Sequence, residues 1–425
     1  MKRVVDKDKT LVVDGPASVI VQSGGVEVFA APVQTAVKLV IRHGKRVPFE
    51  VKEKAEFDIL LGDKATVNEV EGSTIPASWE KAANEILTAE KPVAAMIVGG
   101  VDSGKTSFCA YLANQSLKEK HKVALIDADL GQSDLGPPST ISSSRIKKPV
   151  LDPFDLDAEN TCFVGTTSPS STVVKVVEGI KSIKERILKR GVSVLIINTD
   201  GWIESEDAVR FKVALVKQVK PDLVVGIQEK SELTFLLGAL TETRTLCIES
   251  SVMVRKRDRD ERKLLRELGY KKYLKGARAE SFPLRWVKFG NTVFGLGIPP
   301  SQERLKKIEE VFLTTPLYAE EMSGFVFIVL DKEQWFDEEV LKSLEQKLNR
   351  KVKAVKEGDE EGLLAALHDD KENFLGIGVV EGFDYERRVA RIYTPVNKNV
   401  ASIQLGHIKL DKKGREIGLS DVFSD

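Results

Sequence analysis

Three cysteines and four histidines in 425 residues leave little from which to build a disulfide framework or a metal centre. Cys109, Cys162 and Cys247 are odd in number, far apart and set in apolar stretches, the pattern of buried free thiols in a reducing compartment. So few histidines argue against a zinc cluster. An excess of either charge is missing too: 64 Lys and Arg stand against 64 Asp and Glu. No bulk field draws the chain onto nucleic acid or membrane, so a nucleic-acid partner must sit in a local basic groove. No apolar run is long enough to cross a bilayer, and Met1-Lys2-Arg3 leads into polar residues instead of a secretory apolar region. Repeats and low-complexity tracts are absent as well. These absences point to a cytoplasmic protein without a membrane partner, long enough for two or three domains.

What is present begins with Gly99-Gly100-Val101-Asp102-Ser103-Gly104-Lys105-Thr106, which spells G-x-x-x-x-G-K-[ST]. The apolar run Val93-Ala94-Ala95-Met96-Ile97-Val98 precedes it, and Ser107-Phe108-Cys109-Ala110 opens a helix after it. Glycines at both ends let backbone N–H groups converge on a phosphate chain, and the helix N-terminus adds partial positive charge. Residues 99–107 are therefore the expected nucleotide-binding loop, with Lys105 on the phosphates and the Thr106 hydroxyl on magnesium. The motif identifies a nucleoside-triphosphate binder. A GTPase reading lacks its guanine-reading N-K-x-D, because the matching strand ends Ile227-Gln228-Glu229-Lys230.

Short alternating runs such as Ser18-Val19-Ile20-Val21 and Phe57-Asp58-Ile59-Leu60 fill residues 9–75 and predict a small antiparallel β domain over 1–76. Trp79, Ala82, Ala83, Ile86 and Leu87 then space a helix that Ser78 is placed to cap. Residues 77–290 alternate buried Val/Ile/Leu strands with helices, predicting an α/β P-loop domain whose parallel sheet is covered by helices on both faces. The polar, Pro-rich stretch 133–149 reads as a loop. Residues 291–425 return to short strands with two helices, near 302–311 and 337–348, and form a β-rich domain.

Polar clusters fall at the carboxyl ends of the predicted strands, where ligands bind in such sheets. Asp127 and Asp129 leave one strand end on the same face. One carboxylate there suits magnesium (Asp127) and the other a nucleophilic hydroxyl (Asp129), or both are a solvated strand end. Gln132 follows. Thr199-Asp200-Gly201-Trp202 ends the third strand, where an indole either stacks on a nucleobase or caps the core. The run from Arg255 to Arg262 is either a solvated mixed-charge helix or a lid whose guanidinium forks close on phosphates. As a helix it puts Arg255, Arg259 and Arg262 on one face and Arg257 elsewhere. Ser171 or Thr172 caps the next helix or lends its N-terminus to a phosphate.

Asp129-Leu130-Gly131-Gln132 (D-x-G-Q), 199–202 (T-x-G-W), the glycine loop and the Arg-rich run together resemble the RNA and polynucleotide 5′-hydroxyl kinase family. That family includes archaeal single-chain kinases and the kinase subunit of eukaryotic pre-mRNA cleavage factor. The likeness extends over nearly the whole chain, in the order β domain, P-loop domain, β domain. It implies ATP-dependent transfer of the γ-phosphoryl group to a 5′-hydroxyl end of RNA, with DNA as a further acceptor, and RNA-processing proteins as partners. It also implies ATP and Mg2+ as cofactors, Lys105 and the loop on the β- and γ-phosphates, and Asp129 on the 5′-hydroxyl with Gln132 beside it. Thr199 and Trp202 then meet the substrate. Registering the lid back from Tyr273 favours Arg257 with Arg262, whereas the helical face favours Arg259 with Arg262. The family's T-x-N clasp reads Ser170-Ser171-Thr172 here, a departure. The alternative is a nucleotide-bound, non-catalytic scaffold of an RNA-processing assembly.

Overall fold

The computed structural model describes residues 1–421. Its contacts divide into two compact units, Met1–Gly269 and Tyr270 onward.

In the first unit the predicted β domain is two antiparallel sheets. One runs Lys2–Val5, Ala55–Leu61, Ala17–Ser23, Lys38–Ile41; the other runs Ala31–Pro32, Val26–Val28, Arg46–Val51, Lys9–Asp14, Val67–Glu71. Strict alternation in Ala17–Ser23 buries Ala17, Val19 and Val21 and turns Ser18 and Ile20 outward. Val19, Phe57, Leu11 and Phe49 share one apolar core with Trp79, Ile86, Phe108 and Leu112 of the next segment. The β module shares this core with the helices Ala77–Thr88 and Lys105–Lys118 instead of closing a separate one.

The central sheet has the strand order Asn160–Phe163, Thr140–Ile146, Val123–Ala128, Val194–Thr199, Val93–Gly99, Leu223–Gln228, Arg244–Glu249. The last five are parallel; Thr140–Ile146 runs against them, and Asn160–Phe163 pairs antiparallel with Thr140–Ile146 and so points the same way as the five. Val93–Gly99 is buried along its whole length, as a central parallel strand requires. The strand Thr140–Ile146 lies inside the stretch expected to be a loop. Its composition signals a loop, but the polar side chains are paired inside: Thr140 Oγ1 donates to the Pro137 carbonyl at 2.7 Å, and Ser142 and Thr161 hydroxyls meet at 3.0 Å. Cys247 is exposed, against expectation, because Arg244–Glu249 is the edge strand; Cys109 is buried and Cys162 half-buried. Ser78 does not cap its helix. Pro76 holds that place, and the Ser78 hydroxyl accepts from the Glu249 N–H at 3.2 Å.

The second unit holds an antiparallel sheet in the order Arg278–Pro283, Val389–Thr394, Phe374–Asp384, Leu363–His368, Ser402–Leu410, with Lys288–Gly290 added in parallel at the end and Glu416–Leu419 beside Ser402–Leu410. A three-stranded sheet, Tyr318–Glu321, Phe325–Leu330, Lys351–Lys356, packs with the helices Gln302–Phe312 and Glu338–Leu348. These are the two helices anticipated from the sequence. Arg278–Pro283 belongs to this β-rich unit, which therefore starts earlier than residue 291. Among the described residues no helix is long and apolar enough to cross a membrane.

Candidate active site

The turn between Val93–Gly99 and Lys105–Lys118 is tight. Gly104 takes φ +95°, a left-handed conformation that costs glycine nothing, and a Cβ on Gly99 would sit 2.7 Å from the Ile227 carbonyl oxygen. Lys105 starts the helix, is 6% exposed, and donates from Nζ to the carbonyls of Gly99 at 3.0 Å and Gly100 at 2.7 Å. Burial lowers its pKa, against the opposing pull of the Asp129 carboxylate.

Beside this turn lies a cavity of about 890 Å³. Every residue of the loop from Gly100 to Ser107 lines it; Gly99, whose tight approach shapes the turn, does not. Asp129, Gln132, Trp202, Arg257 and Arg262 line it as well. The Ser103 hydroxyl and the Arg262 Nε are buried with no hydrogen-bond partner among the described residues.

Asp129 is pushed up to about 6, first by burial and then by the nearby carboxylates Asp127 and Asp200, while Lys105 pulls the other way. Its Oδ1 accepts from the N–H groups of Gln132 at 2.9 Å and Gly131 at 3.2 Å, which shapes the D-x-G-Q turn. Gln132 in turn donates from Nε2 to the Arg262 carbonyl at 3.1 Å. Trp202 is half-buried and stacks on Phe211 with ring centroids 5.8 Å apart.

Several expected site residues lie elsewhere. Asp127 does not line the cavity. One oxygen accepts from Asn198 Nδ2 at 3.0 Å and the other from the Asp134 and Leu135 N–H groups at 2.8 and 3.2 Å, so it folds the 129–135 loop. Thr199 is buried, outside the cavity lining, and donates to the Ile97 carbonyl at 2.8 Å, stitching two strands together. Ser171 is exposed and Thr172 buried, neither at the cavity; the loop reaches it with Thr167, Ser168 and Pro169. Arg259 is exposed and outside the cavity because the helix starts there, at Arg259–Tyr273, leaving Arg255 and Arg257 in extended chain before it. Arg257 and Arg262, the pair named by the register from Tyr273, line the cavity; Arg259, favoured by the helical face, does not.

The β domain supplies cavity residues that the sequence did not reveal. Arg42, Lys45 and Arg46 line the wall. Arg42 bonds Asp134 at 3.0 Å and Asp152 at 2.7 Å and lies 3.7 Å over the Phe154 ring; Lys45 meets Asp134 at 2.6 Å. Burial alone would raise Asp134, but Lys45 and Arg42 hold it well below the usual carboxylate range. Arg46 pairs with Asp14 at 2.7 Å and donates to the Met253 carbonyl at 3.1 Å, tying the β domain to the root of the arginine-rich segment. Val12, Phe29, Val47, Pro48 and Ile75 give that wall an apolar share. Val12, Val47 and Pro48 were legible at most as strand residues; the meeting of all five across more than 50 positions was not.

A buried lysine at the head of a helix, a tight glycine turn before it, and an adjoining cavity lined by both charge signs define a P-loop nucleotide-binding enzyme. The family described as mRNA cleavage and polyadenylation factor CLP1 P-loop matches residues 99–276. A polyribonucleotide 5′-hydroxyl-kinase of Pyrococcus furiosus is 29% identical over 354 residues, spanning 82% of this chain and 96% of its own. One of the same name from Methanocaldococcus jannaschii is 26% identical over 357 residues, with 82% and 95% covered. A chain of the wild-type Clp1p–Pcf11p complex superposes with a TM-score of 0.67 at 14% identity, over 96% of this chain and 97% of that one, a likeness of fold. Residues 99–276 thus match the CLP1 P-loop family, and most of the chain is similar to proteins named polyribonucleotide 5′-hydroxyl-kinase.

Proposed function

We propose that the protein transfers the γ-phosphoryl group of ATP to the 5′-hydroxyl end of RNA. The observation that carries this is spatial: Lys105, Asp129, Trp202, Arg257 and Arg262 line one cavity. Relatives that span most of the chain and are named polyribonucleotide 5′-hydroxyl-kinases support RNA as the acceptor.

Phosphoryl transfer asks the protein for positioning and charge neutralisation more than for covalent chemistry. In this reading the loop N–H groups and Lys105 hold the β- and γ-phosphates. Arg257 and Arg262 approach the transferring group from the opposite wall and stabilise its spreading charge. Asp129 accepts the proton of the 5′-hydroxyl as its oxygen attacks phosphorus, and a carboxyl titrating near 6 is matched to that task at neutral pH. Trp202 stacks on the terminal base, and the apolar share of the β-domain wall receives the donor's base. The Thr106 hydroxyl lines the cavity and would hold Mg2+ beside the phosphates; among the described residues no cluster of three or more His, Cys, Asp or Glu offers a further cage. When bound, the ion neutralises phosphate charge.

The test is incubation with γ-labelled ATP and a 5′-hydroxyl oligoribonucleotide, with the same oligodeoxyribonucleotide alongside. Label on the RNA 5′ end is the expected result. ATP retained without transfer to either strand would instead leave the protein a nucleotide-bound scaffold.

A further inference from the structure

Lys212 has no place in the chemistry above, yet it is fully buried in the helix Glu206–Val219. Its Nζ donates to Asp200 Oδ2 at 2.6 Å and to the Asp200 backbone carbonyl at 3.1 Å. The other Asp200 oxygen, Oδ1, accepts from the Trp202 N–H at 2.9 Å. Phe211, the residue before Lys212, stacks on the Trp202 ring at an interplanar angle of 27°. Gly201 completes the grip from the far side, since a Cβ there would lie 2.8 Å from the Val101 backbone nitrogen. The turn 200–202 is thus held by one helix through a charge, a hydrogen bond and a ring, and is pressed against the phosphate loop.

A buried ion pair is a poor device for stability, because a well-packed apolar pair of similar volume does as well at lower desolvation cost. What an ion pair adds is direction. An ammonium that must meet both the carboxylate and the carbonyl of one residue admits a single placement of that residue. Asp200 and Trp202 both line the cavity, so that placement is felt at the site.

We propose that Lys212 is a positioning residue: acting through Asp200, it sets the height and plane of the Trp202 ring on which the acceptor's terminal base stacks. This rests on the acceptor reading of Trp202 given above. Lys212 lies outside the cavity lining, and its charge and that of Asp200 act on Lys105 in opposite senses, so removing the pair falls on acceptor binding more than on the donor.

The single variant Lys212→Met strands the Asp200 charge in the interior and can fail to fold. The informative variant is Lys212→Met/Asp200→Asn, which removes both charges while the Asn oxygen still accepts from the Trp202 N–H. Complete loss of a base–aromatic stack corresponds to about 5- to 150-fold in binding. The KM for a 5′-hydroxyl oligoribonucleotide is expected to rise about fivefold or more, with the KM for ATP held within about twofold. A second readout needs no turnover: the indole N–H resonance of Trp202, assigned by its loss in Trp202→Phe, is expected to move in the double variant. An equal rise in both KM values, an unchanged oligonucleotide KM or an unmoved indole resonance overturns the proposal. Should the unaltered protein transfer no phosphate, the kinase reading falls by itself, and the resonance still decides the role of Lys212.

Discussion

Asp102, a carboxylate within the phosphate loop, holds Arg257. It accepts from the Arg257 backbone N–H at 2.9 Å and from its guanidinium at 3.2 Å, and Arg262 stands 3.6 Å from the same carboxylate. Asp102 adopts φ +55°, a left-handed conformation that aspartate tolerates better than most residues. Arg257 also donates from Nε to the Gly44 carbonyl at 3.0 Å. The loop thus carries its own anchor for the arginines opposite it.

Removing that anchor loosens the arginine-rich segment. Charge-assisted hydrogen bonds are worth about 1.5–3 kcal/mol each, or roughly tenfold or more in a local equilibrium. In Asp102→Ala, trypsin is expected to cut between residues 255 and 262 at least about tenfold faster, with the rest of the digestion pattern unchanged. Equal cutting rates would show that the contact anchors nothing.

The arginines are predicted to separate cleanly. Arg257→Ala and Arg262→Ala each remove a guanidinium from the cavity and should lower kcat by about 10²-fold or more. Arg259→Ala, at an exposed position, should stay within about twofold, as surface substitutions usually do. Steady-state kinetics on the three variants checks the ordering, and a large loss from Arg259→Ala contradicts the assignment.

Asp129 gives opposite pH signs for activity and stability. The base must be ionised, so the rate is expected to rise with pH through about 6 and level off above it. A carboxyl raised in the folded protein binds its proton more tightly folded than unfolded. Its contribution to stability is therefore present at low pH and lost as pH rises from its ordinary value of 3.8 through about 6. Asp129→Asn should consequently abolish transfer yet raise Tm by a few degrees at pH 8, and not at pH 4. A lower Tm at pH 8 would sink this account.

Two residues that the sequence placed in the site should behave as framework. Thr199→Val leaves the Ile97 carbonyl without its partner and is expected to cost about 1–2 kcal/mol of unfolding free energy, with the KM values for ATP and oligonucleotide unchanged. Asp127→Ala removes the acceptor for the 134 and 135 N–H groups and should cost on the order of 3 kcal/mol or more. Chemical denaturation alongside kinetics separates these losses from loss of a ligand.

Local chemistry was readable in the linear chain. The glycine turn, Lys105 and the buried strand Val93–Gly99 follow from residue types at fixed spacing, and so do the parallel pairing of the five central strands and the alternation in the β domain. The serine-rich strand Thr140–Ile146 was not, because its hydroxyls are satisfied by Pro137 and Thr161, partners that composition does not reveal. Nor was the difference between Asp127 and Asp129. Two residues apart on one strand, they look alike until the returning 133–135 backbone takes one and leaves the other at the cavity.

The amino-acid order by itself determined that a phosphate loop exists, where it lies and which lysine serves it, since those depend on backbone geometry within a dozen residues. Tertiary structure alone decided which arginines face the loop, which carboxylate is free to act, and that Arg42, Lys45 and Arg46 close the wall. Those outcomes depend on where helix Arg259–Tyr273 begins and on how the β module shares its core with the helices beside it. Long-range burial sets them, and no short window of sequence contains it.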